Sequence, residues 1–293
     1  MIAIDWGTSS LRAWRLDGPS GRIVEQRRAA LGILACDGRF EAVLAQQIDG
    51  WDDPKLLLAG MIGSRQGWRE APYVDCPATP AAIAAAVMPI SAASLPGRQV
   101  AIVPGLQTRD ADGVGDVMRG EETQVCGLIG DLGPGVHTLC LPGTHSKWVR
   151  VADGRIEAFR TAMTGEVYHV LRSHSILGRL MTEADAAFDP VAFDRGLARA
   201  ERPGGLLHHA FGVRSEGLFG ALAPKQLPDY LSGILIGHEL RELAPAGGVV
   251  HLIGQDALLA RYGHALRSLG CEPVPHGEDL AAQGLWRLAR AAG

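Results

Sequence analysis

Over the first thirty positions, apolar and polar residues follow one another in three short runs. Ile2-Ala3-Ile4 is apolar and ends in Asp5-Trp6-Gly7-Thr8-Ser9-Ser10. Leu11-Arg12-Ala13-Trp14-Arg15-Leu16 alternates, Asp17-Gly18-Pro19-Ser20-Gly21 carries turn chemistry, and a further extended run leaves from Arg22. The pattern predicts three antiparallel strands with a small polar turn between the first two. Residues 137–160 repeat the plan: Thr138–Leu141 is apolar, Pro142-Gly143-Thr144-His145-Ser146 is the turn, and Lys147–Val151 alternates. Asp153-Gly154 then turns into another strand, and the Gly-Arg-Ile triplet of 21–23 recurs at 154–156. A self-similar unit in each half predicts a duplicated α/β fold of two related domains, here drawn at 1–110 and 111–293.

Between the two units the pattern predicts strands at Leu56–Ala59 and Val100–Val103, a Gly/Arg-rich loop at 60–73 and an alanine-rich helix near 80–88. Pro104–Gly115 reads as a connection and 116–129 as helical. Helical periodicity dominates at 165–182, 190–200, 205–222 and 229–243. A strand at Val249–Ile253 meets Gly254 before helices at 256–269 and 279–292. Composition changes this picture in three ways. Thirty-eight glycines in 293 residues imply many close backbone approaches. A net charge of -4 without a basic face argues against nucleic acid as a partner. Five widely spaced cysteines and no signal peptide predict a reduced, cytoplasmic setting without disulfides or zinc, and no apolar run is long enough for a membrane.

The chain has no Walker-type loop, no complete dinucleotide fingerprint, no zincin pair and no nucleophile elbow. Glycine–hydroxyl turns remain. Gly7-Thr8-Ser9-Ser10 and Gly143-Thr144-His145-Ser146 are able to aim backbone N–H groups and hydroxyls at phosphate, and Asp5, at a strand end, suits Mg²⁺. Either turn alone is equally an ordinary hairpin, and Asp116 alone reads first as a helix N-cap.

In order along the chain, the Asp-Gly-Thr loop, Gly115-Asp116 with its helix, the second Gly-Thr loop and a Gly-headed helix resemble the sugar-kinase branch of the actin/hexokinase/heat-shock ATPase superfamily. Several strings narrow the likeness: Asp5–Ser9, Gly60-Met-Ile-Gly-Ser-Arg-Gln-Gly-Trp68, Glu70–Tyr73, Gly115–Glu122, Leu141–Trp148, Met163–Glu166 and Leu231–Gly233. Together they resemble the 2-dehydro-3-deoxygalactonokinase family. The resemblance implies a two-domain actin/hexokinase-like (ribonuclease H-like) fold with a cleft between domains. It implies transfer of the ATP γ-phosphoryl group to the 6-hydroxyl of a sugar acid, with ATP and Mg²⁺ required.

It also implies roles. Asp5 holds the metal, and Gly7, Thr8, Ser9, Ser10 and Gly143, Thr144, His145, Ser146 hold phosphate. Gly254 meets adenosine, and Asp116 is the general base. For the substrate carboxylate Arg65 is the first choice, because guanidinium grips carboxylate bidentately. Arg12, Arg69, Arg119 and Lys147 are alternatives, with Gln66, Trp68 and Tyr73 completing the pocket. Kinases of other sugars, a nucleotide-switched binding protein and a phosphatase stay open on the residues alone, as does oligomeric state, a homodimer included.

Overall fold

The computed structural model describes residues 1–182 and 187–292. Strands β1 (Ile2–Trp6), β2 (Leu11–Leu16) and β3 (Ile23–Ala29) form the expected antiparallel meander, since each turn residue lies where the alternation breaks. After α1 (Phe40–Gln47), β4 (Lys55–Ala59) joins parallel to β1 and places Ala59 opposite Asp5. Then follow β5 (Tyr73–Asp75), α2 (Pro80–Ala85), β6 (Met88–Ile90) and β7 (Gln99–Ile102). The first sheet runs β3-β2-β1-β4-β7-β6. Beneath it Trp6, Leu11, Trp51 and Ile102 belong to one core.

Two sequence expectations change at this point. The stretch 104–115 is not merely a connection, because Gly105–Arg109 is a strand, β8. Residues 116–129 are not one helix: Gly115–Met118 is a strand, β9, antiparallel to β8, and the helix α3 covers Glu121–Ile129. The physical reason is Gly120, whose φ of 107° breaks a right-handed helix, while Asp116 and Val117 find ladder partners in Thr108 and Gln107. Asp116 therefore lies on a strand and not at a helix start.

Next come β10 (Val136–Leu141), β11 (Ser146–Ala152) and β12 (Arg155–Ala162), the second meander. Helix α4 (Thr164–His174) stops well short of 182. It is followed by α5 (Pro190–Ala200), α6 (Gly205–Leu218), α7 (Leu227–Leu243), β13 (Gly248–Ile253), α8 (Asp256–Ser268), β14 (Cys271–His276) and α9 (Leu280–Ala291). The second sheet runs β12-β11-β10-β13-β14.

The chain forms two compact units. One comprises residues 1–137, 149–159 and 277–293, the other 138–148 and 160–276. Asp116 lies in the unit that begins at Met1, as does α9. In that unit α9 lies against α3 with backbone nearly touching backbone: a methyl added to Gly284 would sit 1.8 Å from the Thr123 carbonyl oxygen, and one on Gly127 2.1 Å from that of Leu280. The second unit uses the same device, Gly196 of α5 against Gly233 of α7. Leu285, Leu288 and Ala289 bury the apolar face of α9.

Candidate active site

In the first unit, β1 delivers Asp5 at its carboxyl end. Its Oδ2 accepts a hydrogen bond from Arg12 Nη2 at 2.9 Å. Burial raises the Asp5 pKa above the usual carboxylate value, and Arg12 partly offsets this. Two glycines with positive φ stand beside the carboxylate, Gly60 after β4 and Gly120 before α3. A Cβ on Gly60 would come within 2.8 Å of the Trp6 carbonyl and 3.1 Å of Asp5 Oδ1. One on Gly120 would meet Gly60 Cα at 3.1 Å. The end of β1, the end of β4 and the start of α3 thus converge on the Asp5 carboxylate, whose partner Arg12 also pairs with Glu278 at 2.7 Å. Among the described residues no group of three or more His, Cys, Asp or Glu is arranged to hold a metal. So few carboxylates suit Mg²⁺ more than a cation needing an all-protein cage, because Mg²⁺ commonly keeps waters and phosphate oxygens.

The Gly7–Ser10 turn is closed by Gly7 N–H donating to the Ser10 carbonyl at 2.9 Å, and Thr8, Ser9 and Ser10 are exposed. It rests on Gly32, where any Cβ would strike the Thr8 carbonyl. Arg65 and Gln66 lie at the exposed tip of a loop closed by the Trp68 N–H to the Ile62 carbonyl. Arg65 is 3.5 Å from Glu70. Trp68 is half-buried against the core of this unit. Arg119, in contrast, is buried: its guanidinium stacks 4.4 Å over the Tyr73 ring and donates to the Ala71 carbonyl. Arg119 and Tyr73 therefore back the loop from beneath. Asp116 lines a cavity of about 430 Å³ together with Asp75, Cys76, Gln107, Arg109 and Glu157.

The carboxylates at the start of α3 escaped the sequence reading. Arg119 N–H donates to Glu121, and Gly120 N–H donates to Glu122 at 2.6 Å. Glu122 is fully buried, and burial with neighbouring Glu121 pushes its pKa to about 8. The signal available was Gly-Glu-Glu ahead of an apolar run, a helix start whose carboxylates reach back to backbone N–H groups.

In the second unit the turn after β10 is held from two sides. Helix α4 docks on it, because Gly165 leaves room for the Gly143 carbonyl and Glu166 N–H donates to the Thr144 carbonyl at 2.9 Å. His145 is hydrogen-bonded to the Glu166 carboxylate. Ser146 is not directed outward with its neighbours. It is fully buried, 2.9 Å from the Tyr262 hydroxyl, which in turn donates to Glu239 at 2.7 Å. Glu239 also accepts from Trp148 Nε1 at 2.7 Å, and burial raises its pKa. Ser146 begins β11, whose first four residues are all buried. Lys147 is buried with Nζ donating to Thr161.

Gly254, at φ 156°, ends β13 beside this turn, 3.4 Å from the Pro142 carbonyl to a notional Cβ. A largely apolar cavity of about 530 Å³ opens here, lined by Gly143, Thr164, Gly165, Tyr168, Phe188, Leu235, Ala257 and Arg261 among others. Arg261 stacks 4.9 Å over Phe188 and pairs with Asp229 at 2.9 Å. The turn after β10 and the helix that follows Gly254 thus border one cavity, through Gly143 and through Ala257 and Leu258.

The family model described as 2-keto-3-deoxy-galactonokinase matches residues 5–288. The chain is 40% identical over 303 residues to the probable 2-dehydro-3-deoxygalactonokinase DgoK1 of Rhizobium meliloti (strain 1021), covering 98% of this chain and 97% of that one. It is 36% identical over 297 residues to the 2-dehydro-3-deoxygalactonokinase of Escherichia coli (strain K12), covering 99% and 97%. A crystal structure of a 2-dehydro-3-deoxygalactonokinase candidate from Sinorhizobium meliloti superposes with a TM-score of 0.90 at 38% identity, covering 99% and 96%. The activator of 2-hydroxyisocaproyl-CoA dehydratase from Clostridium difficile, with bound ADPNP, shares the fold alone, at a TM-score of 0.52 and 13% identity. The fold is the mixed α/β one that the two meanders predicted; its actin/hexokinase-like character was implied by the family resemblance. No helix among the described residues is long and apolar enough to cross a membrane. By family model, by identity along nearly its whole length and by fold, the chain belongs to the 2-keto-3-deoxy-galactonokinase family of kinases.

Proposed function

We propose that the protein transfers the γ-phosphoryl group of ATP to the 6-hydroxyl of 2-dehydro-3-deoxy-D-galactonate. The observation that carries this reading is the family match over residues 5–288, joined to the Asp5 carboxylate beside Gly60 and Gly120. Asp5 would hold Mg²⁺. When bound, the ion neutralises charge on the phosphate oxygens. The exposed Thr8–Ser10 segment, held by the Gly7 turn, and the backbone N–H groups and hydroxyl of Gly143–His145 orient the phosphates, and Ser146 stiffens the second turn from within. The apolar cavity beside Gly143 and Gly254 suits adenosine, whose flat ring buries best against apolar walls.

Phosphoryl transfer leaves little covalent work for the protein, so positioning and electrostatics dominate. Asp116 accepts the proton of the attacking hydroxyl. Arg65, exposed and only loosely paired, is free to reach the substrate carboxylate, and Gln66 and Trp68 share its loop. Arg119 and Tyr73 support that loop, while Lys147, turned to Thr161, acts on the site through β11. The segments 1–110 and 111–293 are proposed as the two actin-like repeats. The cytoplasm is proposed as the place of action, supported by five unpaired cysteines.

The test is ADP release with Mg-ATP and a panel containing 2-dehydro-3-deoxy-galactonate, its gluconate epimer, glycerol, xylulose, glucose and no sugar. The galactonate form should be preferred, and Asp116→Asn should lower turnover roughly 10²–10⁴-fold. Near-normal turnover of that variant removes Asp116 from its role. ADP release indifferent to every sugar overturns the kinase reading.

A further inference from the structure

Helix α6 packs His209, Ala210 and Val213 inward and leaves its opposite face bare. On that face Leu207 is 90% exposed, Phe211 59% and Leu218 58%, and Phe219 at the helix end is 83% exposed. Positions 207, 211, 214 and 218 are spaced i, i+4, i+7 and i+11, which is a single stripe about 17 Å long. Arg214 interrupts it and makes no hydrogen bond or ion pair among the described residues. Large apolar side chains concentrated on one helix face mark an interaction surface.

We propose that this face binds a second copy of the same chain, α6 against α6, antiparallel about a twofold axis. The stripe is complementary to itself. With the axis between residues 212 and 213, Leu207 lies opposite Leu218 of the second copy, and Phe211 lies opposite Arg214. A guanidinium over an aromatic ring is favourable, so the cation in mid-stripe gains a partner from another α6. At roughly 150–200 Å² per large side chain, Leu207, Phe211 and Leu218 offer about 300–400 Å² per chain. Twofold pairing removes about 600–800 Å² from these side chains, and flanking residues, Phe219 at the stripe's edge among them, carry the area toward the roughly 1,200 Å² of stable interfaces. The inference is independent of which sugar acid is phosphorylated.

The experiment is sedimentation velocity on the full chain at tens of micromolar. The expected species has twice the 31.0 kDa chain mass. Phe211→Glu with Leu218→Glu should return it to the single-chain mass, with kinase turnover confirming that the variant is folded. Leu207→Cys with Leu218→Cys should cross-link two chains on oxidation, whereas either cysteine alone should not. A wild-type monomer at that concentration overturns the proposal and leaves the face to a different protein. A dimer that survives the double glutamate variant, or cysteines that fail to cross-link, also overturns it.

Discussion

Glu122 shows what a single residue does to the pH dependence of this protein. Its carboxyl is fully buried, accepts the Gly120 N–H, and has Oε1 without a hydrogen-bond partner among the described residues. Burial lifts its pKa from the usual 4.5 to about 8, with Glu121 adding to the rise and Arg119 opposing it. The folded chain therefore keeps a proton that the unfolded chain releases. Its contribution is fully favourable below pH 4.5 and erodes as pH rises to about 8, by at most about 1.4 kcal/mol per pH unit. Glu122→Gln keeps an acceptor for Gly120 and removes the titration. The variant should match wild type in urea midpoint near pH 5 and exceed it near pH 8.5. Equal midpoints at both pH values would show that Glu122 is ionised in the native state. The sequence did not reveal this residue, because its burial comes from packing around the start of α3 and not from any local pattern. Asp116 was misplaced for a related reason. The four-residue strand β9 exists through β8, and pairing of that kind is invisible in a short window of sequence.

Elements were legible where pattern is local. Both meanders could be read from alternation and turn chemistry, because each strand's partner is its neighbour in the chain. What the alternation did not convey is the scaffold under the second turn. Ser146, Tyr262, Glu239 and Trp148 come from β11, α8 and α7 and meet in one buried hydrogen-bonded cluster. Tyr262 donates to Glu239, which also takes side-chain hydrogen bonds from Thr164, Trp148 and Ser146, so Tyr262→Phe removes one donor from a carboxyl that keeps others and one partner from Ser146. Loss of a buried hydrogen bond of this kind costs about 1 kcal/mol. Loosening of the Gly143–Ser146 turn should appear mainly in ATP. Its KM is expected to rise roughly tenfold, about 1.4 kcal/mol, with a much smaller change for the sugar acid. Equal changes in both KM values would mean that the cluster supports the unit as a whole and not the turn.

At the scale of the whole molecule, the unit that starts at Met1 is completed by the last helix. Lys55 donates to the Ala289 carbonyl at the end of α9, Trp286 donates to the Gly18 carbonyl, and Arg287 pairs with Asp131 at 3.1 Å. The Ala-Gly character of this helix was visible in the sequence. Its partner was not, since α3 lies more than a hundred residues earlier. Gly284→Val places a branched side chain against the Thr123 carbonyl and should destabilise the first unit by about 3 kcal/mol or more, well beyond typical overpacking elsewhere. Thermal unfolding should show the loss, whereas Gly133→Val, which meets open space, should not.

The closing position of α9 also bears on how the protein is made. On a ribosome the chain emerges from Met1 onward, so the first sheet and α3 leave the exit long before residues 277–293 exist. At common translation speeds the stretch 160–276 occupies on the order of ten seconds. During that interval the α3 face that awaits Gly284 and Leu288 is bare, while the helices of the second unit already have their own core to bury. A segment synthesised late thus seals one synthesised early. Nascent chains stalled before residue 277 should be open to protease in α3 and resistant in α5 and α7, an order of maturation opposite to the order of synthesis.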